Sequence, residues 1–117
     1  MTQPIHTTFI AHGYTKEEAC TYLLQLVGGI APNNPNVNLG FLVITKPLAT
    51  EAILQHIEKG AKKIRIIPLF IAPGKHVSED VPQVLSEIKK QHDVEFILED
   101  FIGNHTAYKD MLKRLVE

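Results

Sequence analysis

Four short runs of β-branched and aromatic residues alternate with four segments of helical spacing, and this alternation constrains the fold more than any other feature of the chain. The run IHTTFIAHG closes on Gly13, and YTKEEACTYLLQLVGGI follows, with Ala19, Tyr22, Leu23, Leu26 and Val27 spaced for one helical face. Gly28 and Gly29 weaken or end that helix, and the polar cluster APNNPN leads into a second strand, VNLGFLVI. Pro47 suits a helix start, and LATEAILQHIEKG then places Leu48, Ala52, Ile53, Leu54 and Ile57 on a broad apolar stripe before Gly60. KKIRIIPLFIA reads as the third strand, 72–78 as a loop, and Glu79 to Gln91 as a helix that tolerates Pro82 in its first turn. VEFILED is the fourth strand. NHTAYKDMLKRLVE is the last helix, with Asn104 as its cap and Tyr108, Leu112 and Leu115 on one face.

The order βαβαβαβα favours a parallel sheet with right-handed crossovers, because each crossover carries its helix onto the sheet. The expected fold is α/β: one small doubly wound domain over residues 1–117, with a four-stranded parallel sheet and helices on both faces. That length suffices for a real core without disulfide or metal staples. Twelve basic and thirteen acidic side chains leave a formal charge of -1, so nucleic acid and anionic membrane are not expected partners. Cys20 is the single cysteine and cannot form an internal disulfide. The N-terminus lacks the regions of an export signal, and no apolar run reaches the roughly 18 residues needed to span a bilayer. These features point to a cytoplasmic protein.

In an open parallel sheet, ligands bind beyond the carboxyl ends of the strands, where neighbouring connections leave toward opposite faces. His12 directly follows strand one and His76 lies in the loop after strand three, so both project from that edge. With strand order 2-1-3-4, strands one and three are neighbours and the two imidazoles face one crevice. Neutral imidazole suits cobalt, iron, nickel and zinc better than magnesium. Two ligands make a weak site, useful where the metal must be surrendered. A lone loop histidine is more often a solvated residue than a ligand, and it is the pairing, each member beside a glycine that would let backbone approach a ligand, that tips the balance.

FIAHG ahead of an amphipathic helix, GAKKIRIIPLFIAPGKHVSEDVP and IGNHTAYKDMLKRL together resemble the short CbiX-type sirohydrochlorin cobaltochelatases, of the class II chelatase family, over essentially the whole chain. The stretch from Pro68 to Pro82 is the most specific part. The resemblance implies an ATP-independent lyase that inserts Co2+ into sirohydrochlorin on the anaerobic route to cobalamin. It carries metal binding and catalysis to His12 and His76, with no prosthetic group and with Co2+ as substrate metal. Longer relatives contain two such units, so a homodimer is expected, with the tetrapyrrole held near the strand ends.

The resemblance departs at the end of strand two, where relatives often carry a glutamate that helps hold metal and this chain has Val43 and Lys46. Glu99 and Asp100, ending strand four at the same edge, are candidates to compensate. Lys46 and Lys75 could each pair with a substrate carboxylate or simply be solvated, an exposed pair contributing only about 0–1 kcal/mol. His105, in the last loop, is a further substrate candidate. Asp80 could orient His76 as a hydrogen-bond acceptor, or serve the start of the third helix. His6, His56 and His92 need no functional account, and Cys20 reads as a small packed side chain.

Three readings follow. The first is a cobaltochelatase acting on sirohydrochlorin. The second is a ferrochelatase or nickel chelatase taking Fe2+ or Ni2+ with the same macrocycle, since imidazole discriminates poorly among neighbouring divalent metals. The third is a non-catalytic tetrapyrrole- or metal-binding protein that has lost the acidic ligand.

Overall fold

The computed structural model describes residues 4–117. The strands are β1 (His6–Ala11), β2 (Val37–Phe41), β3 (Lys63–Pro68) and β4 (Glu95–Leu98). The α-helices are α1 (Glu17–Ile30), α2 (Ala49–Glu58), α3 (Val81–Lys89) and α4 (Thr106–Leu115). A π-helical turn, His76–Asp80, precedes α3, and a 3-10 turn, Ile102–Asn104, precedes α4. The sheet is wholly parallel with order β2-β1-β3-β4. Among the described residues, no helix is long and apolar enough to cross a membrane.

Alternation along the strands divides the core into two layers. Ile10, Ile64 and Ile66 face α2 and α3, packing on Ala49, Ile53, Val81, Leu85 and Ile88. Phe9, Ala11, Leu39 and Phe41 face the other way, onto Cys20 and Val27 of α1. All six residues of β1 are buried, as expected of a parallel strand paired on both sides.

Several details differ from the sequence expectation. α1 runs through Gly28 and Gly29 to Ile30, since packing on β2 carries the helix past their low propensity. Only Cys20 and Val27 of α1 are buried; Tyr22 and Leu26 stand 64% and 43% exposed. β2 stops at Phe41, where Phe41 N–H is taken by Pro47 O at 2.9 Å, so residues 42–47 form an excursion beyond the sheet. The helical turn begins at His76 rather than Glu79, leaving Pro82 in the first turn of α3. Asn104 lies in the 3-10 turn and His105 occupies the N-cap of α4. Tyr108, Leu112 and Leu115 share a face of α4 as expected, yet α4 has no buried residue.

Two close approaches lock the loops at the carboxyl edge. Gly13 has φ +113°, and a Cβ there would lie 2.0 Å from Val43 O. Val43 N–H in turn donates to His12 O at 3.0 Å, and Leu42 N–H to Ala11 O at 2.8 Å. A Cβ on Gly103 would lie 1.6 Å from Ile71 O, while Gly103 N–H donates to Phe70 O at 3.0 Å. The loops after β1 and β2 are thereby joined, as are those after β3 and β4. The close approach that requires glycine at position 13 is that of the Val43 carbonyl.

At the opposite end of the sheet, His6 and His56 form a buried pair with Nδ1 atoms 2.8 Å apart. His56 Nε2–H donates to Thr7 O at 3.1 Å, so neutral His56 accepts at Nδ1 and His6 donates from Nδ1. A proton on His56 would set two N–H groups against each other. Burial, then His6 and Lys59, hold the His56 pKa down to about 4 against the opposing Thr7 carbonyl, and burial then Lys59 lower that of His6.

Two predictions follow from this packing. Because the folded pKa of His56 is depressed, its contribution is intact above the unfolded value near 6.5 and is lost as pH falls toward 4. Urea titrations at pH 7, 5.5 and 4.5 should show a decline of up to about 3 kcal/mol beyond that of the His56→Gln variant; parallel slopes would refute this origin. Gly103→Ala should lower stability by about 1–3 kcal/mol, since backbone must move to admit the methyl group. Thermal unfolding would detect it, and a midpoint matching wild type would contradict the close packing.

Candidate active site

The β1–β3 pairing places Ile10 opposite Pro68, and Leu69 N–H continues the ladder onto Ile10 O at 2.8 Å. The two chain segments therefore leave the sheet side by side. His12 emerges from the first, and the loop after β3 returns His76 to it. The ring centroids are 4.2 Å apart and tilted by 55°.

Each ring is held through Nδ1. His12 Nδ1–H donates to Gly13 O at 3.0 Å, and His76 Nδ1–H donates to Asp80 Oδ2 at 2.7 Å. The second bond arises because the helical turn puts residues four apart on one face. In both neutral rings the Nε2 lone pair is then free for a metal or a proton. A carboxylate on the far nitrogen of a ligating imidazole is the usual means of fixing its tautomer and raising its basicity.

Phe70 adds a steric constraint, stacking on His76 with centroids 5.9 Å apart and planes 18° apart. Thr45 acts on the other side: its hydroxyl donates to Tyr14 O at 3.0 Å, and Cys20 Sγ lies 3.3 Å from Thr45 Oγ1. Cys20 is thus a packed, buried residue beneath the loops around His12. Sequence reasoning singled out neither Phe70 nor Thr45, since an aromatic at a strand end and a threonine in a loop carry no distinguishing spacing.

The remaining candidates separate into those near the pair and those turned away. Val43, with Asp80 and Gln83, lines a cleft of about 330 Å³ between the end of β2 and α3. Position 43 therefore shares a cleft with Asp80, the carboxylate that holds His76. Lys46 Nζ points to Glu51 Oε2 at 3.8 Å with its side chain 82% exposed. Glu51 also accepts the Leu48 N–H at 2.9 Å, so Lys46 belongs to the start of α2. Lys75 stands exposed beside His76.

His105 Nε2–H donates to Asp100 O at 2.9 Å and braces the last loop. Asp100 is engaged by Phe101 N–H and by the Asn104 amide, and Glu99 pairs with Arg65 at 3.3 Å. These two acids serve the β4 edge. A second hollow, of about 350 Å³ and lined by Pro68, Val77 and Asp100, opens at the same edge, whereas a hollow of about 520 Å³ lies between α3 and β4. Among the described residues, no group of three or more His, Cys, Asp or Glu side chains converges as a metal cage.

Comparison with known proteins matches this arrangement to a family. The CbiX family model matches residues 6–117. A sirohydrochlorin cobaltochelatase of Saccharolobus islandicus is 38% identical over 87 residues, 68% of each chain. That of Sulfolobus acidocaldarius is 29% identical over 108 residues, 92% of this chain and 86% of the relative. That of Methanocaldococcus jannaschii is 30% identical over 86 residues, and the match spans only 60% of the relative's length.

Among solved structures, a CbiX protein from Marinobacter aquaeolei superposes with a TM-score of 0.86 at 22% identity, covering 97% of this chain and 93% of the other. Bacillus subtilis SirB with Fe3+ gives 0.85 at 17% identity, and this chain spans 45% of it. At such identities the structures speak for the fold. With the family model spanning both histidines and the whole sheet, this chain is a member of the CbiX family.

Proposed function

We propose that this chain is a metal chelatase that inserts Co2+ into sirohydrochlorin, in the cytoplasm and as a homodimer, on the route to cobalamin. The observation that carries the reading is the pair of imidazoles at one crevice, 4.2 Å apart, each with Nδ1 engaged and Nε2 free. The relatives named as sirohydrochlorin cobaltochelatases support the substrate, and the twofold length of SirB supports a pair of units.

Metal insertion requires that a divalent ion shed water while the macrocycle gives up two pyrrole protons. Metal is the substrate here, so it must be held and then released. Two neutral imidazoles suit this, because a closed four-ligand protein site would retain the ion. His12 and His76 present the metal through Nε2, and as the ion passes to the macrocycle each Nε2 so freed takes one of the two departing pyrrole protons, while Asp80 holds His76 in the tautomer that leaves Nε2 available. The ring nitrogens of the macrocycle complete the coordination as the protons leave, and the open crevice orients the flat substrate over the pair.

The same donor set accepts Fe2+ or Ni2+, and SirB has been solved both with Fe3+ and with cobalt. Metal preference is therefore to be measured with the reaction. In this reading Lys75, exposed beside His76, pairs with a substrate carboxylate, and Lys46 and His105, which meet Glu51 and Asp100 O in the free chain, stay candidates for the same role.

Anaerobic absorption spectroscopy of sirohydrochlorin with Co2+, Fe2+ or Ni2+ tests the reading. Wild type should give repeated turnovers above background, and His12→Ala or His76→Ala should reduce the rate by at least about 100-fold. A stoichiometric spectral shift without metallated product would replace the enzyme with a tetrapyrrole-binding protein. Asp80→Ala should cost about 10–100-fold while leaving both histidines in place. Val43→Glu, which places a carboxylate on the same cleft as Asp80, should tighten Co2+ binding measured without the macrocycle. An unchanged titration would show that position 43 does not reach the metal.

A further inference from the structure

Among the described residues, Ile44 alone of the non-glycine residues has a positive φ, +71°, in the left-handed region. Thr45 N–H donates back to Val43 O at 2.7 Å, a bond that spans two residues, so Val43, Ile44 and Thr45 form a γ-turn of the rare, strained hand. A β-branched side chain is poorly suited to that region, because its Cβ crowds the backbone carbonyl.

The turn is held in this shape from both sides. Val43 N–H donates to His12 O at 3.0 Å, Val43 O lies against Gly13, and the Thr45 hydroxyl donates to Tyr14 O at 3.0 Å. Both neighbours of Ile44 are thus tied to the segment that bears His12. Backbone strain persists where its surroundings over-determine it, and it costs stability. Packing within the chain offsets little of that cost, since Ile44 stands 68% exposed. Glycine or asparagine would take the same turn with less strain. What isoleucine adds is an apolar group held out at the carboxyl edge, beside the histidine pair.

Other apolar side chains stand out from the same edge. Tyr14 and Val43, on the two joined loops, are both exposed, and Ile71, in the loop after β3, is 71% exposed. Ile71 directly follows Phe70, whose ring stacks on His76. An exposed isoleucine therefore adjoins each of the two segments that position the histidines. Two such groups offer nothing to a small ion or a small polar acid. They suit the broad apolar faces of a flat conjugated ring, whose carboxylate-bearing rim stays in solvent.

We propose that Ile44 is a substrate contact: its side chain, held out by the strained turn, seats a face of the macrocycle so that the pyrrole nitrogens lie over Nε2 of His12 and His76, with Ile71 as the second seat. This rests on the chelatase reading and adds to it the residues that position the ring, separate from those that hold metal. At position 44, stability and affinity are set against each other.

Ile44→Gly and Ile44→Asn separate the turn from the side chain, since both accept a positive φ without an apolar group. Each should raise the thermal midpoint by about 4 °C. Each should also weaken sirohydrochlorin binding, followed by absorption without metal, by about 5–10-fold. KM for the macrocycle should rise by a similar factor with a smaller change in kcat, and a Co2+ titration without macrocycle should not move. Ile44→Leu, which restores an apolar group, should recover most of the affinity. Ile71→Asn should weaken binding comparably, and its effect should multiply with that of Ile44→Asn. Variants that bind sirohydrochlorin as tightly as wild type would overturn the contact and leave the chelatase reading standing. A change confined to sedimentation would overturn it too, assigning Ile44 to an interface between chains. A loss of stability alongside affinity would show that the side chain serves the fold, again overturning the proposal. A wild type that neither binds nor metallates sirohydrochlorin would overturn both readings.

Discussion

Everything at the carboxyl edge depends on the hydrogen-bonded pairing of β1 with β3. The two strands are far apart in the chain, and their pairing requires β2 to pass outward and α2 to cross back over the opposite face from α1. Once Ile10 and Pro68 are in register, the segments bearing His12 and His76 leave the sheet as neighbours. A slip of one residue between them would turn one strand over relative to the other, so that Ile10 would no longer share a face with Ile64 and Ile66 against α2 and α3. The core and the histidine pair are specified by the same register.

The loops beyond the sheet are held by backbone and not by a second core. Val43 lies on Gly13 and Ile71 on Gly103, each too close for a side chain at the glycine. Thr45, Cys20 and Tyr14 add a small polar clasp on one side, and Asp100, Asn104 and His105 add another on the far side. Between these braces the two imidazoles are fixed through Nδ1, and the surface around them stays open. Such a site can hold a metal weakly and still admit a large flat ligand, because rigidity comes from the surrounding loops while the coordination sphere is left incomplete.

The histidines at the two ends of β1 illustrate how environment separates chemical roles. His6 and His56 are buried against each other, and burial favours the neutral form. His12 and His76 stand half-exposed at the opposite edge, one beside a carbonyl and the other beside a carboxylate. Residue type alone does not distinguish the pairs. Sequence reasoning set His6 and His56 aside and described neither their contact nor its acid sensitivity, because a contact across 50 residues leaves no local spacing to read.

Element order, the parallel sheet and the meeting of His12 with His76 at its carboxyl edge were all legible in the sequence. They follow from periodicity, from strand-then-helix alternation and from the PLFIAPGKHVSEDVP stretch, which are local properties of the chain. The i, i+4 spacing of His76 and Asp80 was legible too, but only the helical turn decided that the carboxylate orients the ring and does not merely cap α3. The end of β2 at Phe41, the seating of Phe70 on His76 and the turning of Lys46 to Glu51 came from tertiary structure. So did the exposure of the stripes on α1 and α4. A sequence records that a face is apolar, whereas what covers that face depends on where the other elements stop, and here they stop short of it.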